Sequence, residues 1–246
     1  MKRLLSPLTV ACLLAAAVPA HAGPYSAMYV FGDSLSDAGQ FPDADGPAGA
    51  TVRFTNREGP TYLDGSGEIF GSTSPMLLGA MLGLGLQTPS TSSVFEANGW
   101  EDGNNWAVGG YRTDEILNSI TAPGGSVAGT RTRDGFLVDL ANRGLTLDSN
   151  ALYYVNGGGN DFLQGLVLNT AQAQAAAGRL VDSVEALQGA GARYIMVSLL
   201  PDVGRTPALG GANTFFSGLA SDLNTELVSQ LRGMSAEIIP LNLPAL

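Results

Sequence analysis

The chain has 246 residues, 45% of them hydrophobic and 14% charged, with a formal net charge of −10 at pH 7. That length is enough for one α/β domain with a sizeable core, and the acidic balance argues against nucleic acid as a partner. Lysine, cysteine and histidine occur once each, as Lys2, Cys12 and His21. Everything after residue 22 therefore lacks the lysine of a phosphate loop, the usual zinc ligands, a thiol nucleophile and any disulfide.

Residues 1–22 read as a signal peptide. Lys2 and Arg3 form a positive start, Leu4 to Val18 an apolar run, and Ala20-His21-Ala22 a small-x-small cleavage site before Gly23. Export by the bacterial secretory route is the expectation. Cys12 lacks the flanking residues of a lipidation site. Residues 23–246 read as a single domain.

Ser26 to Phe31 is short, β-branched and aromatic, the pattern of a buried strand. It ends in Gly32-Asp33-Ser34-Leu35, where Ser34 is a candidate nucleophile, and where Ser34 or Asp33 could instead cap a following helix. A long Gly-, Pro-, Asp- and Thr-rich stretch runs from Gly39 to Ser74. Within it Asp43-Ala-Asp45-Gly46 offers carboxylates, but the spacing fails the calcium-loop pattern and reads as a solvated acidic turn. Pro75 to Leu86 begins with proline and reads as a helix. Thr88 to Asn104 is polar and turn-rich. Asn105 to Val108 is strand-like and ends at Gly109-Gly110, and Thr113 to Ile120 starts a helix. A loose Gly/Arg/Thr segment follows, to Asp134.

From there the pattern sharpens into a helix over Gly135–Arg143 and a strand over Ala151–Val155, closed by Asn156-Gly-Gly-Gly-Asn160-Asp161. A helix over Thr170–Gln188 sets Ala176, Leu180, Val184 and Leu187 on one side. A strand over Arg193–Leu200, a helix over Ala212–Gly233 and a strand over Glu237–Asn242 complete the series. Gly189-Ala-Gly191 follows a helix and precedes a strand, so it stops the helix rather than binding a nucleotide. Alternating elements of these lengths indicate a parallel sheet covered by helices.

In such a sheet the loops at Ser34, at Gly109-Gly110 and at Asn160 all leave the carboxyl edge. They bring a hydroxyl, glycine backbone N–H groups and a side-chain amide, the parts that acyl transfer needs for attack and for the oxyanion. These three blocks, in order, resemble those of the GDSL (SGNH) serine hydrolases, and Arg53-Phe-Thr-Asn56 is similar to a stretch found in many GDSL lipases. The wording "GDSLSDAGQF", "DGNNWAVGGYRTD" and "GGGNDFLQG" looks most like the esterase passengers of Gram-negative autotransporters.

The resemblance implies a flavodoxin-like α/β sheet and an esterase or lipase that uses no cofactor and acts on small-molecule or lipid esters, as a monomer. It implies Ser34 as nucleophile. Oxyanion donors are then the Ser34 N–H, the Gly110 N–H (Gly109 being the other choice of register) and the Asn160 amide. Asp161 is read as holding its loop by local hydrogen bonds. The aromatics Phe54, Tyr62, Phe70, Trp106 and Tyr111 are read as packing rather than as an acyl pocket. The family's Asp-x-x-His block, which supplies the base, has no match here, nor does an autotransporter β-barrel. The expectation is an N-terminal piece of a longer surface protein, nearly inactive by itself. A truncated gene product, or a degenerate paralogue that binds glycan or lipid in the same cleft, is the alternative.

Overall fold

A computed structural model describes residues 23–38, 73–84, 103–127 and 131–245. The leader, the 39–72 stretch with Asp43, Asp45, Phe54, Tyr62, Phe70 and the Arg53–Asn56 match, residues 85–87 and most of the polar Thr88–Asn104 stretch lie outside the described residues.

The elements are β1 (Met28–Phe31), α1 (Ser74–Met81), α2 (Thr113–Thr121), β2 (Gly125–Val127), β3 (Arg131–Arg133) and α3 (Phe136–Asn142). After them come β4 (Leu152–Val155), α4 (Gly159–Leu163), α5 (Thr170–Gly189), β5 (Tyr194–Ser198), α6 (Thr214–Leu231) and β6 (Glu237–Leu241). Strands β1, β4, β5 and β6 form one sheet in the order β1-β4-β5-β6, all parallel. The Asn105 segment adds to the free side of β1. It forms a parallel bridge to Val30, with Trp106 N–H donating to Val30 O at 2.7 Å and Val108 N–H to Gly32 O at 3.0 Å. Counted in chain order, the five positions run 2-1-3-4-5, the flavodoxin-like arrangement.

Period-two alternation sorts the side chains between two faces. Phe31, Tyr153, Val155, Ile195 and Val197 join one cluster with Ile116 and Ile120 of α2, Phe136 of α3, Leu180 and Val184 of α5 and Leu223 and Leu227 of α6. Met28, Val30, Leu152 and Tyr154 face the other way, against Leu78 of α1. Strand β4 is buried along its whole length, as befits the middle of a sheet covered on both faces.

Helices start where a side chain can replace the missing backbone partner. Asn169 accepts from Gln172 N–H to open α5, and Asn213 accepts from Phe216 N–H to open α6. The second cap moves the start of α6 from the expected Ala212 to Thr214. Two elements were not legible in the sequence: the β2–β3 hairpin and the single-turn helix α4. The hairpin is polar, and Arg133 anchors its β3 strand. Its guanidinium lies 4.6 Å from the Trp106 ring centre and donates to Trp106 O at 3.2 Å. A tertiary contact of that kind leaves no local period.

Candidate active site

Phe31, the last residue of β1, gives way to a tight turn built on Asp33. Its backbone carbonyl accepts from the N–H groups of Ser36 and Asp37 at 3.0 and 2.9 Å, and its side chain accepts from Leu35 N–H at 3.0 Å. Asp33 is thus the cap of this turn. The Ser34 hydroxyl makes no hydrogen bond among the described residues and is half-buried, while Leu35 points outward, 61% exposed.

The turn sits on a buried polar network. Ser36 Oγ donates to Asn156 Oδ1 at 2.6 Å, Asn105 Nδ2 donates to Ser36 O at 2.7 Å, and Asn105 Oδ1 accepts from Ala107 N–H at 3.0 Å. Asn156 Nδ2 also faces Asp33 Oδ1 at 3.4 Å. The loops after β1 and β4 and the strand segment at Asn105 are locked together in this way. Gly32 is required for the fit, because a Cβ there would run into the Asn156 side chain. Burial lifts the Asp33 carboxyl above its ordinary range, against the pull of the Leu35 N–H and Asn156.

Beyond β4 the chain turns at Gly158, whose φ of 102° lies in the left-handed region, and enters α4 with Asn160 in its first turn. Ser34 and Asn160 line the same pocket of about 210 Å³. Asp33 and Leu35 after β1, Asn156 and Leu163 after β4, Pro201 after β5 and Leu243 after β6 complete much of its wall. The pocket therefore spans the carboxyl edge, and its β1 and β4 walls flank the point where the strand order reverses. A larger open groove, about 750 Å³, runs along α6 and contains none of the residues singled out in the sequence. Its polar lining includes Ser217, Ser221, Asn224 and Arg232 instead.

Gly110 does not line that pocket but is tied to it. Asn160 Nδ2 donates to the neighbouring Tyr111 O at 2.9 Å, which leaves the second hydrogen of the amide to face another acceptor. The register ambiguity at the glycine pair is reduced by one contact. Gly109 N–H is already taken by Asp37 Oδ2 at 2.7 Å, whereas Gly110 N–H donates to nothing among the described residues.

Asp161 does hold structure, at longer range than expected. Its fully buried carboxylate accepts from Thr113 N–H at 2.9 Å and Thr113 Oγ1 at 2.7 Å, and pairs with Arg179 at 2.9 Å. It thereby joins α4 to the starts of α2 and to the middle of α5. Trp106 is buried in the core beside Phe136 and Arg133, and Tyr111 packs against the same core, so neither lines the pocket. Asn156, Asn105, Ser36 and Asp37 were missed as supports of the site. A polar residue directly after a buried strand was the available signal. Among the described residues no group of three His, Cys, Asp or Glu could hold a metal ion.

The sequence model of the GDSL-like Lipase/Acylhydrolase family matches residues 28–242. Two curated proteins called Esterase EstA, from Pseudomonas aeruginosa and Pseudomonas putida, are each 60% identical over 254 aligned positions, covering 98% of this chain and 39% of their own length. The chain thus spans about two fifths of the curated relatives it matches. A solved structure of a psychrotrophic esterase EstA from Pseudoalteromonas sp., inhibited by monoethylphosphonate, is 13% identical over 87% of this chain and 76% of that one, with a TM-score of 0.41.

Proposed function

The chain belongs to the GDSL-like lipase/acylhydrolase family, and from that premise we propose that it is the esterase region of an exported carboxylic-ester hydrolase. Ser34 Oγ attacks the ester carbonyl carbon, and its proton passes to a base. The oxyanion that forms is met by the N–H groups of Ser34 and Gly110 and by the Asn160 amide. Collapse expels the alcohol, and water then releases the acid from the acylated serine. One observation carries the reading: Ser34, with an uncommitted hydroxyl, shares a pocket with Asn160 while Asp33 takes over the capping role.

The base is the open part. The only histidine is His21, in the proposed leader, and Asp33 is committed to its turn. A base from an Asp-x-x-His segment outside residues 23–246 completes the mechanism. Without it, binding and the oxyanion donors alone give roughly 10³–10⁴-fold acceleration over water, as in proteases stripped of a triad member. The chain by itself is therefore nearly inactive. Export and cleavage before Gly23 belong to the same proposal and rest on the residues of the leader, and exposure at the cell surface rests on the resemblance to autotransporter passengers.

The test compares this chain with a form extended through an Asp-x-x-His segment, using a soluble short-chain aryl ester. The extended form should turn over and the short chain barely. Ser34→Ala should abolish turnover. Asn160→Ala should lower kcat about 10²–10³-fold with KM nearly unchanged. Its lost bond to Tyr111 O adds a stability loss of about 0.5–1.5 kcal/mol. Full activity in the short chain would show that another residue is the base. Activity that survives Ser34→Ala would remove the nucleophile assignment, and no turnover in either form would favour a passenger that only binds.

A further inference from the structure

The loop from Val108 to Tyr111 is gripped at three of its peptide groups, from three directions. Asp37 Oδ2 accepts from Gly109 N–H at 2.7 Å, Gln164 Nε2 donates to Gly110 O at 2.7 Å, and Asn160 Nδ2 donates to Tyr111 O at 2.9 Å. The peptide that carries the Gly110 N–H lies between the first two grips. A planar peptide can still swivel about its Cα–Cα axis when its neighbours are held, but the two grips fix where that axis, from Gly109 to Gly110, lies. Two adjacent glycines would otherwise give this loop more freedom than any other residue pair.

Gln164 plays no part in the attack and stands at the end of α4, largely exposed. Its amide is nonetheless aligned. Arg112 Nη1 donates to Gln164 Oε1 at 3.0 Å, so the oxygen end faces the guanidinium and the NH₂ end faces the Gly110 carbonyl. Arg112 is itself held by Asp114 at 3.1 Å and Glu115 at 3.4 Å. A chain of contacts thus runs from the first turn of α2 through Arg112 and Gln164 to Gly110.

We propose that Gln164 is a positioning residue of the oxyanion hole: by clamping the Gly110 carbonyl, which belongs to the next peptide, it fixes where Gly110 lies and so places the N–H that Gly110 presents. The proposal rests on reading Gly110 as an oxyanion donor. A donor already oriented before reaction needs no reorganisation as charge develops, which is the source of its catalytic value. Gln164→Glu is the informative variant. It keeps an oxygen for Arg112, and strengthens that contact with charge, but sets a carboxylate oxygen against the Gly110 carbonyl. A residue that merely staples α4 to α2 would tolerate this change.

The experiment has two arms. In the chain as given, backbone ¹⁵N relaxation should show a rigid Gly110 amide, with an order parameter near 0.85, falling below about 0.6 in both Gln164→Ala and Gln164→Glu. Gly109, still held by Asp37, should remain ordered. In the extended form both variants should lose about ten-fold in kcat with KM for a short ester unchanged, while Gln164→Glu melts no lower than wild type. An ordered Gly110 in Gln164→Glu overturns the proposal, and so does a loss of Gly110 order with full kcat. If the extended wild type shows no Ser34-dependent turnover, the hydrolase reading falls instead, and the relaxation arm still decides whether Gln164 fixes Gly110.

Discussion

Asp33 holds the turn that carries Ser34 at the expense of burying a carboxyl group. Its pKa is raised above the ordinary 3.8, chiefly by burial, with hydrogen bonds from Leu35 and Asn156 opposing the shift. A carboxyl raised in the folded state keeps its proton there after the unfolded chain has released its own. The contribution of Asp33 to stability is therefore fully present below the unfolded pKa and is lost as pH climbs through the folded one. Asp33→Asn keeps an oxygen for the Leu35 N–H and removes the titration. The variant should melt close to wild type near pH 3 and gain on it progressively as the pH rises above the ordinary carboxylate range of about 4. Thermal melts over these pH values check this, and a gap independent of pH would exclude Asp33 as the titrating group. The neighbouring Ser34 shows what the sequence could and could not say. A strand followed by Gly-Asp-Ser-Leu allows either residue to cap, and the choice depends on which side chain the network under the turn engages.

At the scale of elements, the joint between α2, α4 and α5 is a single carboxylate. Asp161 takes a backbone N–H, a hydroxyl and a guanidinium at once, and Arg179 Nε further donates to Thr113 Oγ1 at 2.7 Å. Removing it leaves these donors facing a buried space. Asp161→Ala should cost about 2–3 kcal/mol, below the ~3–5 kcal/mol typical of a fully buried pair, because the 31% exposed Arg179 side chain can still reach water. Urea unfolding of the chain measures the loss. A loss below about 0.5 kcal/mol would mean that water replaces the carboxylate without penalty. The long helices and the four sheet strands were legible because their apolar periods run over many residues, and their ends moved by no more than a few positions. The joint was not legible. Asp161 lies 48 residues from Thr113 and 18 from Arg179, and nothing in its own loop distinguishes a residue that closes a local turn from one that ties three helices. The hairpin β2–β3 and the short α4 escaped for the same reason, since each exists through contacts made elsewhere.

For the molecule as a whole, the formal charge of −10 acts on any substrate that is itself part of a charged surface. Repulsion between like charges slows encounter and is screened beyond about 10 Å at 0.1 M salt. Turnover of an ester presented in anionic vesicles by the extended form should therefore rise with ionic strength, while turnover of a neutral soluble ester should stay flat. Equal salt responses for the two substrates would remove the field of the protein as the cause. The order of the sheet has another consequence, one for the birth of the protein rather than its action. Strand β1 is made early, yet it pairs with β4, and Ser36 finds its partner Asn156 only 120 residues later. At about 5–20 residues per second, a ribosome takes roughly 6–24 s to supply that partner. During this interval β1 lacks its β4 neighbour and can pair only with the Asn105 segment, so the sheet is obliged to remain open. That obligation hinders folding in a crowded cytosol and invites capture by chaperones. It also keeps the polypeptide in the threadable state that the proposed export demands.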